Sequence, residues 1–165
     1  MSDRGQLVLV AAAVAALALV PVAAAYLQFG YAPAVADVGG DHGERVSRSL
    51  DRVVDDAAEQ AAGTAWANRE RAVQRVEASL ESPVRTVERA QLGDGVVVDV
   101  STDEALAEQV DCPGGRGRSF GACEAHGGVV VQERAGETVV VAVAFDVRVS
   151  TPDGTTRFAR TVRPR

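Results

Sequence analysis

Between Leu7 and Leu27 the chain reads LVLVAAAVAALALVPVAAAYL, 21 consecutive residues without a charge. No other feature restricts the fold so strongly. At a rise of about 1.5 Å per residue this run makes roughly 31 Å of helix, the thickness of a bilayer's hydrocarbon core. Arg4 precedes it, no basic residue follows until Arg45, and the first charges beyond it are Asp37, Asp41 and Glu44. Because positive charge is held on the cytoplasmic side, Met1–Gln6 is expected inside and the chain beyond Gly30 outside. Tyr26, Phe29 and Tyr31 gather at the outer end, where an aromatic belt would sit. The expectation is a single pass through the cell membrane, with the lipid bilayer as partner and the C-terminal domain outside.

The run admits three fates. It can remain uncut as an anchor. Prepilin-type processing would cut between Gly5 and Gln6 and leave the helix attached. A secretory signal would be removed after Ala23-Ala24-Ala25 or Ala34-Val35-Ala36. The continuation of the apolar run to Leu27, and a single Arg4 offset by Asp3, favour a retained helix. Ala11, Ala15 and Ala18 recur at helical spacing, which permits close packing against another such helix, including one from a second copy.

Outside the membrane the pattern predicts an α+β fold: helices first, then a small antiparallel sheet with one disulfide loop. Residues 1–29 form the cytoplasmic stub and membrane helix, 30–43 a Gly- and Pro-bearing linker, and 44–165 the extracytoplasmic domain. Val46, Leu50, Val53, Val54, Ala57, Ala58 and Ala61 mark an amphipathic helix, and Gly63-Thr64 a break. A second stripe runs through Ala72, Val73, Val76 and Leu80. Ser82-Pro83 is expected to start a third, short helix reaching Leu92. Gly93-Asp94-Gly95 is a turn, Val96–Val100 a strand, and Ser101 through Glu104 a capping box opening another short helix. Gly128–Arg134, Thr138–Ser150 and Thr155–Arg163 read as strands joined at Ala135-Gly136-Glu137 and Thr151-Pro152-Asp153-Gly154. The middle one is apolar on both faces near its start, with Val139, Val141, Val143 and Phe145 on one side and Val140, Ala142 and Ala144 on the other. It is therefore expected at the centre, with Thr155–Arg163 at an edge stopped by Pro164.

Composition matters chiefly for what it excludes. The formal charge is −6, and all 17 basic residues are Arg, a balance that argues against nucleic acid as a partner. Residues 37–62 carry seven acids against three Arg, whereas the last strand carries Arg157, Arg160, Arg163 and Arg165. These complementary regions could meet within one molecule or between copies. Arg and Pro on the edge also guard it against unwanted strand addition.

Chemistry is sparse. Cys112 and Cys123 bracket CPGGRGRSFGAC and, outside the membrane, most simply form a disulfide. A rival reading adds His126, with Asp111 or Glu124, as metal ligands, although the tight first-pair spacing of zinc sites is missing. Within the loop, Arg116, Arg118 and Phe120 make a candidate contact surface for an acidic partner or polymer. Its glycines lack the Lys-Ser/Thr of a phosphate cradle. His42 is expected as a solvated residue of the linker. No nucleophile–base or zinc-hydrolase constellation is visible, so the expectation is a protein without enzymatic activity, cofactor or bound metal.

Arg4-Gly5-Gln6 before the apolar helix, Trp66 in the helical middle, Cys112-Pro113, Phe120 through Glu124, and Gly128–Phe145 together resemble a family of small haloarchaeal membrane proteins that are similar to type IV pilins. The resemblance spans nearly the whole chain. It implies an N-terminal helix followed by a sheet, and other pilin-like subunits as partners. Gly30, Pro33 and Gly39-Gly40 depart from the unbroken helix of pilins.

Overall fold

The apolar stripe begun at Val46 is carried by a helix that starts earlier than its pattern suggests. In the computed structural model, which describes residues 40–114 and 120–165, helix α1 spans Gly40–Ala58 and extends into a 3-10 turn at Glu59–Ala61. The expected linker thus yields its last four residues to the helix, with Asp41 stabilising the positive end of the helix dipole in the first turn. Val46, Leu50, Val54, Ala57 and Ala61 are fully buried along one face. Leu7–Leu27, the Gly5–Gln6 cleavage position, the linker up to residue 39, and Arg116 and Arg118 all lie outside the described residues. Among the described residues no helix is long and apolar enough to cross a membrane.

Helix α2 runs without interruption from Arg69 to Ala90, correcting the separate helix expected at Ser82-Pro83. Pro83 sits inside it. Proline removes one backbone hydrogen bond, to the carbonyl four residues back. However, Val76, Leu80, Val84 and Val87 keep the apolar stripe in phase across that point and pack on the core. Continuous burial outweighs the lost bond. Gln91, Leu92 and Gly95 then turn the chain, Gly95 at φ +73°, a left-handed conformation that glycine adopts without steric cost.

Five strands form one antiparallel sheet: β1 Val97–Thr102, β2 Cys123–His126, β3 Val129–Arg134, β4 Glu137–Thr151 and β5 Gly154–Val162. The long β4 is central, as its apolar pattern predicts. It pairs with β3 over residues 137–143, with β1 over 145–150 and with β5 over 143–151. Ala144 donates its N–H to Gly128 and accepts from Asp103 N. Both groups therefore face one edge, along which β1 succeeds β3, while β5 takes the other edge.

The two faces of β4 do not divide as strict alternation expects. Val130 pairs with Ala142 and Val131 with Val140, so Val141 is an extra residue, a bulge. One inserted residue moves every later side chain to the opposite face. Val140 accordingly joins Val143, Phe145, Val147 and Val149 in the core under α1 and α2. Val141 instead joins Ala142 and Ala144 on the other face. That face is covered by a one-turn helix, α3, Glu104–Ala107, with Leu106, Val110 and Cys112. The cap of α3 is Asp103, whose carboxylate accepts from Leu106 N at 3.0 Å. The expected cap, Ser101, belongs to β1, because pairing with β4 continues through Thr102.

Candidate functional site

Strand β2 carries no strand-like period in the sequence, and it builds a corner where polar chemistry gathers. Its signal was present: Gly127-Gly128 between His126 and Val129 is a two-residue hairpin turn, with φ of +56° and +101°. The glycines also permit close approach. A Cβ on Gly128 would lie 2.6 Å from Thr102 Cβ.

Cys112 and Cys123 are joined, their Cα atoms 6.4 Å apart, tying the segment after α3 to the start of β2. The bond occupies both sulfurs, so the rival Cys112/Cys123/His126 metal set is not formed. Three further contacts hold the base of the loop. Gln132, buried on β3, donates from Nε2 to Pro113 O at 3.2 Å. Gly121 and Ala122 extend the β2–β3 pairing through Gly121 N–Glu133 O at 3.0 Å and Glu133 N–Ala122 O at 2.9 Å. Arg134 stacks on Phe120, guanidinium to ring centroid 4.8 Å. Of the three loop residues proposed as a contact surface, Phe120 is thus half-buried against Arg134.

On the neighbouring stretch of β2, Glu124 meets Arg69, the first residue of α2, at 2.6 Å. Arg69 also lies over Trp66, 4.9 Å from its ring centroid, and His126 Nε2 is 3.1 Å from the same Glu124 oxygen. The hydrogen bond from Arg69, reinforced by His126, holds the Glu124 carboxyl below the usual carboxylate range, and the same bond raises the Arg69 pKa. A carboxylate kept ionised in this way is unsuited to proton donation near neutrality. Its geometry makes it a clasp between α2 and β2.

His42 is placed in the first turn of α1 rather than in a linker, with Nδ1 2.7 Å from Gln91 Oε1. The complementary charges noted in the sequence do meet within the molecule. Arg160 on β5 reaches Asp51 on α1 at 2.7 Å, and beside this ion pair the backbone N–H of Arg165 donates to Asp55 at 2.9 Å. Beside the disulfide corner, a groove of about 660 Å³ is lined by Val139, Val141, Asp55, Glu59, Arg134 and Arg163 among others. Its charges are of both signs. Among the described residues, no group of three or more His, Cys, Asp or Glu is arranged to hold a metal ion.

The family model described as a family of unknown function, DUF7261, matches residues 1–163, and the chain belongs to that family. No curated protein and no solved structure gives a match.

Proposed function

We propose that this DUF7261 member is a membrane-attached, extracytoplasmic protein without enzymatic activity, a structural or accessory component of a pilin-like surface or secretion apparatus. The observation that carries this reading is the order of parts. An uncharged 21-residue run precedes a helix-on-sheet unit closed by the Cys112–Cys123 disulfide. A disulfide persists in oxidising compartments, which agrees with the outward placement of the domain expected from Arg4. The polar groups of the disulfide corner support the same reading, because each is engaged in holding the fold: Glu124 by Arg69, Gln132 by Pro113, Arg134 by Phe120.

A second reading is a tethered binding module that uses the disulfide loop. It draws on Phe120 and Arg134, which stiffen the base of that loop.

The test is intact-mass and N-terminal analysis of the native protein from separated membrane and medium fractions. A membrane-bound species beginning at Gln6 supports the assembly reading, and one retaining Met1 or Ser2 supports the tethered module. A soluble species beginning near Tyr26 or Asp37 overturns both.

A further inference from the structure

We infer that two edge strands of the sheet, β1 and β5, are complementary, and that a second copy of this chain adds its β1 edge to the β5 edge of the first. The backbone parity identifies the groups concerned. Since Ala144 faces β1 and β3, odd-numbered residues of β4 face β5. On β5, residues 155, 157, 159 and 161 therefore turn their N–H and C=O groups outward, and none of them is hydrogen-bonded among the described residues. This edge contains no proline or bulge between Gly154 and Val162; Pro164, expected to guard it, lies beyond the strand, and its Arg residues discourage only partners that lack complementary acids. On β1 the outward groups belong to Val98, Val100 and Thr102. Glu88 Oε1 accepts the Val100 N–H at 3.1 Å, and an incoming strand replaces that one bond.

Charge selects the pairing. From Leu92 to Pro113 the chain carries Asp94, Asp99, Asp103, Glu104, Glu108 and Asp111 and no Arg, while Gly154–Arg165 carries four Arg and no acid. The segments at the two edges thus differ in formal sign, although Arg157 and Arg160 also pair with Asp146 and Asp51 within one copy, and this difference favours edge β5 against edge β1 over either edge against itself. Register follows from the rows within the sheet. Asp99 pairs with Arg148, which pairs with Arg157, and Val100 pairs with Val147, which pairs with Phe158. Continuing these rows into a second copy sets its Asp99 beside Arg157 and its Val100 beside Phe158. The two exposed large apolar residues among those described, Leu92 at 53% and Val97 at 54%, lie before and at the start of β1. Such a contact is head-to-tail and generates open chains of copies rather than closed pairs.

The inference deepens the proposed structural role while resting on the sheet edges alone. Its test is sedimentation velocity of the full chain in detergent at low salt, across protein concentrations. The wild type is expected to form concentration-dependent chains that shorten as salt rises. Asp99→Arg and Arg157→Glu are each expected to weaken association about tenfold or more. A mixture of the two variants should recover chains in which the native Asp99–Arg157 contact alternates with the charge-reversed one, and the double variant should recover chains as well. Because Arg157 also bonds Asp146 within the molecule, at 2.9 Å, Ala159→Pro provides a second probe. It removes an outward N–H from an edge strand while leaving the pairing to β4 intact, and is expected to abolish association without loss of thermal stability. A monomeric wild type, or association indifferent to the reversals and to Ala159→Pro, would overturn the inference. Either result would leave the membrane placement to its own test by mass analysis.

Discussion

Arg69 and Glu124 are 55 positions apart in sequence and 2.6 Å apart in space, joining the first residue of α2 to a strand that sequence periodicity alone does not announce. Their side chains remain about one-third exposed, so the contact is screened by solvent and serves chiefly to orient α2 over the sheet. Its consequences are nonetheless measurable. The folded Glu124 titrates below its unfolded value. Its contribution to stability is therefore present above the ordinary carboxylate range and is lost as pH falls through the lowered folded value. Arg69→Ala should move the Glu124 pKa, followed by NMR, back toward ordinary, and should reduce the acid-side slope of stability. An unchanged Glu124 titration would refute the assignment of Arg69 as the main cause.

Opening the disulfide acts mainly on the unfolded chain. The bridge joins residues separated by 11 positions, a closure expected to contribute about 3 kcal/mol. Urea unfolding of the Cys112→Ser/Cys123→Ser variant should show a loss of this order. The wild type with reductant should behave alike. Stability unaffected by either treatment would mean that Gln132–Pro113 and Gly121–Glu133 suffice to hold the loop.

Pro83 interrupts the hydrogen bonding of α2 without ending it. Pro83→Ala restores an N–H toward the Ser79 carbonyl and is expected to stabilise the protein by about 1 kcal/mol or more. A destabilised variant would show that the proline's geometry is required for the seating of Val84 and Val87 on the core.

Phe145 and Val97 lie on the same sheet in opposite circumstances. Phe145 is 1% exposed beneath the helices, and Phe145→Ala is expected to cost about 3–5 kcal/mol in equilibrium unfolding. Val97 is largely exposed on β1, so Val97→Ala should leave monomer stability within about 0.5 kcal/mol. A large loss from Val97→Ala under conditions of self-association would mark contact between copies rather than a fault in the fold.

The sequence by itself determined the class of the fold and much of its order. Helical spacing from Val46 to Ala61 announced α1, the doubly apolar start of β4 placed that strand at the centre, and Pro164 beyond an Arg-bearing strand marked β5 as an edge. The cysteine pairing was legible because only two cysteines exist. These signals are local, each resting on the period or turn chemistry of a few neighbouring residues. What only the tertiary structure decided are the outcomes in which distant segments compete. The stripe from Val76 to Val87 carried α2 through Pro83, since core contact outweighs one missing hydrogen bond. Pairing with β4 held Ser101 in a strand and moved the cap to Asp103. The bulge at Val141 exchanged the faces of β4, because β3 and β4 differ by one residue between pairing points. The corner of Arg69, Glu124 and His126 has no sequence period at all. It exists because a Gly-Gly turn folds β2 back beneath the start of α2.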